Sequence, residues 1–186
     1  LAALGRGATV GTDSPRRAGF LRAARPDLRV IPLHGNVDTR LARLDRGDAD
    51  ALVLAVAGLA RLGRYERITA ILSPLLVAPA PGQGALAIEV RADDVRVADL
   101  VASLDDPATH RAVLAERLVL DTTGGGCRAP VGALARIDGS RLELLAAAVE
   151  PDGTRPRSVT RTGDLAGWES IARDAGRALG GVGVAV

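Results

Sequence analysis

The single cysteine of this chain lies in a loop whose residue types favour a reactive thiol. Cys127 follows three glycines, Gly124 to Gly126, and precedes Arg128 and then a proline two residues later. Glycines cannot continue the helix that residues 108–120 predict, so we expect an open turn here. The adjacent guanidinium favours the thiolate, the nucleophilic form. The alternative is a small buried apolar residue, so Cys127 is a candidate nucleophile.

Arginines occupy the start of the first predicted helix. Residues 9–12 predict a short strand, and Ser14 and Pro15 then predict a helix N-cap and its first residue. Arg16 and Arg17 follow in the first turn, where the helix dipole disfavours cations. We interpret the exposed amides and the two guanidiniums as a site for a carboxylate or phosphate. The alternative is a pair of solvated surface arginines.

The same order of strand, polar turn, helix and arginine occurs a second time. Residues 29–33 predict a strand, His34 begins the turn, and Asn36 caps a helix that carries Arg40. Two such turns from neighbouring parallel strands would face one crevice, the usual ligand site of open α/β sheets. His34 alone is more typical of a structural residue than of a ligand.

The remaining patterns complete an alternation of strands and helices. Residues 50–55 predict a buried strand, and residues 56–62 a short helix that brings in Arg61. Further predictions are a helix over 65–72, a strand over 75–78, a hinge over 79–84, an extended segment over 85–90, and helices over 94–104 and from 106. Strands over 131–137, 142–149 and 155–161 predict an antiparallel meander, and 165–179 a closing helix.

Composition excludes several classes of protein. All 24 basic residues are arginine, which rules out lysine Schiff-base chemistry, and the net charge is only +2. Almost no aromatic residues are available to stack bases, which argues against a single-strand nucleic-acid reader. One cysteine fits a reducing compartment, and no apolar run has the length of a membrane span. We therefore expect a soluble cytoplasmic protein, and the lack of methionine indicates a piece of a longer one.

Five motifs occur in one order along the chain and together resemble one enzyme family. They are Gly11–Arg17, His34–Leu41, Leu54–Gly63, Pro81–Ala85 and Gly125–Pro130. The family is that of the hydroxymethylbilane synthases, also called porphobilinogen deaminases, of tetrapyrrole (haem and porphyrin) biosynthesis. The resemblance covers essentially the whole chain.

The resemblance implies a transferase with a covalent primer. The family's cysteine, here Cys127, carries a dipyrromethane cofactor through a thioether, and this primer is extended by four porphobilinogen units with loss of ammonia. Each pyrrole brings an acetate and a propionate, which explains arginines at helix starts. The implied cofactor-binding residues are Cys127, Thr12, Ser14, Arg16, Arg17, Arg40, Arg61 and Gln83, and the implied substrate-binding residues are Arg16, Arg40 and Arg61. No metal is implied.

The resemblance also implies the domain organisation. We expect an α/β fold, with a periplasmic-binding-protein-like α/β lobe followed by a small α+β domain that contains a three-stranded antiparallel sheet. Residues 1–78 would form the family's second lobe, 79–105 a hinge and a segment that returns to the first domain, and 106–186 the domain that carries the cofactor cysteine. Family members are typically monomeric.

The chain departs from the family pattern at two positions. The family usually has arginine where this chain has His34, and serine where it has Asp13. Losing a charged hydrogen bond from one arginine costs about 1.5–3 kcal/mol. Two alternatives therefore stay open, a non-catalytic anion-binding module and a degraded paralogue of the same fold. A pyrrole adduct on Cys127 would exclude the module, and activity gained by restoring arginine at position 34 in a full-length chain would favour the paralogue.

The family's first domain, with its catalytic aspartate and a substrate-binding lysine, lies before the residues matched here. If these 186 residues are the whole molecule, we expect no catalytic turnover, because the proton donor for the leaving amine is missing. Steady-state bilane formation from porphobilinogen by this chain alone would contradict that expectation.

Overall fold

A computed structural model describes residues 1–126 and 129–181 of the chain. The first part contains β1 (Thr9–Gly11), α1 (Pro15–Ala24), β2 (Arg29–Ile31), α2 (Val37–Asp45), β3 (Ala51–Leu52), α3 (Val56–Arg61) and α4 (Val95–Ala102). The second part contains α5 (Pro107–Thr122), β4 (Val131–Asp138), β5 (Arg141–Ala148), β6 (Arg157–Asp164) and α6 (Trp168–Leu179). The mixed α/β fold expected from the sequence is confirmed.

The first sheet has three short parallel strands in the order β2–β1–β3. Val10 is opposite Val30 on one side and Ala51 on the other, and the side chain of Val10 is fully buried. Since β1 and β2 are parallel neighbours, the turns that follow them leave the sheet at the same edge. This confirms the predicted arrangement of the two arginine-bearing turns.

The helices that follow these strands begin where their caps predict. The Ser14 hydroxyl accepts the backbone N–H of Arg17 at 3.3 Å, and the Asn36 side chain accepts that of Thr39 at 2.8 Å. Each cap satisfies a donor that the first turn of a helix leaves unpaired. The caps therefore fix the start of α1 and α2 directly after the strand ends.

The segment between α3 and α4 differs from the sequence prediction. Only Tyr65–Arg67 forms a 3₁₀ turn, and residues 75–78 and 85–90 form no strand. The prediction of a helix over 65–72 is therefore wrong, because the β-branched residues at 68, 69 and 71 disfavour a helix. The prediction of a strand over 75–78 is also wrong, because no strand of the described ranges pairs with these residues. Large apolar side chains exposed between α3 and α5 are Leu62, Tyr65, Ile71, Leu75, Leu86, Ile88, Val95, Leu100 and Leu104.

The second sheet is an antiparallel meander of eight-residue strands in the order β4–β5–β6, as predicted. Helices α5 and α6 cover one of its faces over an aliphatic core. Its buried members are Ala115, Val119, Ala129, Val131, Ala133, Ala135, Leu142, Leu144, Ala146, Ala148, Ala172, Ala175 and Leu179. Small side chains bring the layers close together, and aromatic bulk is not needed.

The two sheets are joined through residues 78–83, which cross the open edge of β4. We call these residues the crossing segment. Ala133 on this strand donates its N–H to the carbonyl of Pro79 at 3.0 Å. Phe20 of α1 packs with Ala78, Ala147 and Val149 in a separate buried cluster. The crossing segment therefore contacts both halves of the described structure.

No helix in the described ranges is both long and apolar enough to span a bilayer.

The close approach of the crossing segment generates a stability prediction. A Cβ at Gly132 would lie 2.5 Å from the Ala78 Cβ and 2.8 Å from the carbonyl oxygens of Ala78 and Pro79. We expect Gly132→Ala to destabilise the fold by about 1–3 kcal/mol, because backbone atoms cannot yield as side chains do. Urea unfolding measures this cost. Gly167→Ala, where a Cβ meets nothing within 4 Å, is the control, and equal stability of the two variants would contradict the packing argument.

Candidate functional site

The N-terminus of α1 faces the crossing segment and forms the centre of the candidate site. Thr12, at the end of β1, is buried, and its hydroxyl accepts the N–H of Ser14 at 3.3 Å. No acidic residue lies in the first turn of α1, so no residue within that turn offsets the positive end of the helix. Thr12 and Ser14 thus shape the turn that positions Arg16 and Arg17.

Arg16 is a buried cation with neutral partners. Its guanidinium donates to the carbonyl of Ala78 and, at 3.2 Å, to Oε1 of Gln83. Burial, with a contribution from the nearby charge of Arg17, lowers the pKa of Arg16 to about 10. Within the described ranges no carboxylate pairs with it, so the positive charge of this buried group is uncompensated.

Arg17 is half-buried beside it. One guanidinium nitrogen donates to the carbonyl of Val53 at 3.2 Å. Burial lowers the pKa of Arg17, and the positive charge of Arg40 adds to the effect. Because Arg17 affects the pKa of Arg16 and Arg40 affects that of Arg17, the three arginines lie within one electrostatic neighbourhood.

Arg40 differs from these two arginines because it has an acidic partner. Its Nη2 lies 2.9 Å from Oδ2 of Asp13, and its Nε donates to the carbonyl of Gly35 at 2.7 Å. The other carboxylate oxygen, Oδ1, is 3.0 Å from Nδ1 of His34, whose side chain is 80% exposed. The two residues that depart from the family pattern are therefore in contact with each other.

Two predicted site residues are not joined to this cluster. Arg61, the last residue of α3, is exposed and forms no ion pair with any residue of the described ranges. Cys127 lies outside the described residues, so its proposed role stays a prediction. The chain on either side of it is tied together, since the N–H of Ala129 donates to the carbonyl of Gly126 at 2.9 Å.

The residues that lead into the loop containing Cys127 lie beside the turn that carries Arg16 and Arg17. Helix α5 ends at Thr122, and Gly124 has φ +69°, which confirms the predicted end of the helix. A cavity of about 150 Å³ lies between these elements. It is lined by Ser14, Pro15, Arg16, Ala80, Pro81, Leu120, Ala129 and Val131.

Sequence reasoning missed Glu116, which holds the crossing segment in place. The residue is 6% exposed, and its carboxylate accepts the N–H of Gly82 at 2.6 Å and that of Ala135 at 2.8 Å. Burial raises the pKa of Glu116, although both hydrogen bonds oppose that shift. A glutamate at this position of α5 resembles a solvated charge in the sequence, so no local signal separates it from its neighbours.

The cluster can bind anions and carries no sign of metal chemistry. Three guanidiniums with buried or half-buried stems and one helix N-terminus converge on one edge of the parallel sheet. No group of three or more metal-ligating side chains occurs in the part of the chain that the structure describes. Carboxylates or phosphates are the ligand class that this chemistry selects.

Two family models match the chain. One, described as "Porphobilinogen deaminase, dipyromethane cofactor binding domain", matches residues 1–99. The other, described as "Porphobilinogen deaminase, C-terminal domain", matches residues 110–180.

Curated relatives named porphobilinogen deaminase match most of the chain. That of Acidothermus cellulolyticus is 50% identical over 96% of this chain and 54% of its own length. That of Roseiflexus castenholzii is 53% identical over 86% of this chain and 52% of its own. That of Mycobacterium marinum is 56% identical over 70% of this chain and 42% of its own. The chain thus spans about half the length of the curated relatives it matches.

The burial of Glu116 generates a pH-dependent prediction. In Glu116→Gln one amide hydrogen must face a backbone N–H, which we expect to cost about 1–3 kcal/mol. The raised pKa means that the folded chain binds a proton at higher pH than the unfolded chain. The contribution of Glu116 to stability therefore rises as the pH falls from 7 towards the ordinary value of 4.5, whereas the glutamine variant lacks this gain.

The difference in unfolding free energy between wild type and Glu116→Gln should accordingly widen as the pH falls over this range. Urea titrations at several pH values measure it. Glu169→Gln, at an exposed glutamate of α6, is the matched control and should show no widening. A constant difference for Glu116→Gln would contradict the assigned burial effect.

Proposed function

The chain belongs to the porphobilinogen deaminase family, and we propose that it binds the primer and the growing chain during synthesis of hydroxymethylbilane. The proposed reaction condenses four porphobilinogen molecules stepwise on a covalent dipyrromethane, with release of ammonia. The proteins that carry this name are about twice as long as the chain, so the complete activity is a proposal here.

One observation carries this proposal, namely that Arg16 and Arg17 have no carboxylate partner among the described residues. A desolvated cation is costly unless an anion joins it. Each pyrrole of the proposed substrate brings an acetate and a propionate. The ligand would therefore supply the charges that the fold leaves out.

The residues present fit a dipyrromethane with carboxylate side chains. Buried Arg16, half-buried Arg17 and the cavity beside Ala129 offer positive charge next to the residues that flank Cys127. When bound, the cofactor supplies the anchored pyrrole to which further units are added. We propose Cys127 as its attachment point and Arg16, Arg17 and Arg40 as cations that hold its carboxylates.

The other predicted residues act through the positions of these groups. Thr12 and Ser14 fix the turn before α1, and Gln83 orients the Arg16 guanidinium by accepting from Nη2 at 3.2 Å. Arg61 is exposed and free to meet a later part of a growing chain. The aspartate that the resemblance assigns to proton transfer is matched by none of the five motifs.

The proposal extends to architecture and setting. The parallel sheet with its anion-binding edge supports a periplasmic-binding-protein-like lobe over residues 1–78, with 79–105 as the hinge segment and 106–186 as the cofactor-bearing domain. The exposed apolar side chains between α3 and α5 support contact of the hinge segment with the family's first domain. One cysteine supports a reducing compartment, and we propose a cytoplasmic monomer.

A second candidate, a non-catalytic anion-binding module, is favoured by the same unpaired arginines but needs no reactive thiol. Intact mass under denaturing conditions separates the two functions. In the chain as purified, we expect a mass surplus equal to two linked pyrroles, because a thioether survives unfolding. The surplus should be absent from Cys127→Ser.

A thiol titration of the unfolded chain provides the control, since it shows that Cys127 is reduced and available. An unmodified mass with a titratable thiol would contradict the covalent role in this chain and favour the module. A surplus that persists in Cys127→Ser would place the attachment at another residue.

A further inference from the structure

We propose that Asp13 is an internal carboxylate that occupies Arg40 until a carboxylate of the ligand displaces it. The proposal rests on the proposed function, because it concerns the same anion site. It goes beyond that function by assigning Asp13 and His34, the two departures from the family pattern, one joint role. Asp13 is a positioning and affinity-setting residue in this scheme.

The first step is geometric. The Asp13 carboxylate places Oδ2 2.9 Å from Arg40 Nη2, at side-chain exposures of 20% and 22%. Arg40 is anchored separately, because its Nε donates to the carbonyl of Gly35 at 2.7 Å. Its guanidinium therefore stays at the crevice when Asp13 leaves, and the same nitrogen becomes available to another carboxylate.

The second step is the selectivity of this pairing. Arg16 and Arg17, in the same electrostatic neighbourhood, donate to neutral carbonyl and amide oxygens. In the described ranges, Asp13 is the carboxylate that pairs with a crevice arginine. A ligand can place one carboxylate on Arg16 and Arg17. Its next carboxylate would bind at Arg40, whose charge Asp13 already neutralises.

The third step is that the internal pair is poorly completed. Asp13 Oδ1 is shielded from solvent, yet no described residue bonds to it with hydrogen-bond geometry, although His34 Nδ1 is 3.0 Å away. A shielded carboxylate oxygen without such a bond loses solvation that is not returned. When a ligand carboxylate replaces Asp13, Arg40 keeps an anionic partner and Asp13 moves towards water. The displacement therefore costs little free energy.

The two departures from the family pattern are coupled through this contact. Histidine at position 34 faces Asp13, so an arginine placed there alone adds a permanent cation beside the same carboxylate. His34→Arg alone should therefore hold Asp13 in place and give no gain in ligand affinity. His34→Arg combined with Asp13→Ser should give a gain larger than the sum of the two single effects.

The test measures binding of pyromellitate, a rigid benzene tetracarboxylate, to the full 186-residue chain by isothermal titration calorimetry at fixed ionic strength. Asp13→Asn removes the internal charge with little change of shape, and we expect it to bind about tenfold more tightly, or ~1.4 kcal/mol. Asp48→Asn is the matched control. It makes the same charge change at an ion pair with Arg43 (2.8 Å) and should alter affinity by less than about twofold.

The background variant Arg40→Gln decides whether the effect passes through Arg40. If Asp13 acts by occupying that guanidinium, Asp13→Asn has no effect once Arg40 is replaced. A tenfold gain that persists without Arg40, or an equal gain in Asp48→Asn, would show general charge repulsion and overturn the proposal. Asp13→Ser repeats the measurement with the residue usual in the family, should the asparagine variant fold poorly.

Arg17→Gln keeps the two proposals separable. If this change does not weaken binding, the arginine site itself, and with it the proposed function, fails. If Arg17→Gln weakens binding but Asp13→Asn and Asp13→Ser leave it unchanged, the site stands and only the internal-carboxylate proposal is overturned. Unfolding midpoints of all variants establish that binding is compared between folded chains.

Discussion

The position of the crossing segment depends on one buried carboxylate. Each oxygen of Glu116 accepts a different backbone N–H, one from Gly82 of the segment and one from Ala135 on the open edge of β4. Ala78 and Gln83, at the two ends of this segment, supply the oxygens to which Arg16 donates. A charge on α5, beside the antiparallel sheet, thereby fixes the environment of a charge on α1, beside the parallel sheet.

The crevice formed by Arg16, Arg17 and Arg40 holds like charges close together, which costs free energy. Arg16 and Arg17 sit at the positive end of α1, where burial lowers the pKa of both, with smaller contributions from Arg17 on Arg16 and from Arg40 on Arg17. Neutral carbonyls satisfy their donors but do not cancel their charge. This arrangement does not stabilise the fold, and this is the physical argument on which the proposed anion site rests.

Local rules in the sequence predicted most of what positions this site. Ser14 and Asn36 cap the helices as expected, and the glycines end α5. The wrong predictions, over 65–72 and 75–78, rest on apolar runs that are common to strands, helices and unpaired segments alike. The Glu116 bonds and the contact of Asp13 with His34 join residues distant in sequence, and periodicity contains no information about such pairs.

The same elements also fix the described residues on either side of Cys127. The loop leaves α5 four residues after Val119 and enters β4 at Val131, and both residues belong to one buried core. Glu116 lies one turn earlier on α5 and binds the segment that holds Arg16. The residues at the ends of the loop and the buried cation are therefore attached to the same helix, α5, through its core contacts and the Glu116 hydrogen bond. A ligand anchored in the loop would meet the arginine crevice because of that helix, since the loop itself need not be rigid for its ends to be fixed.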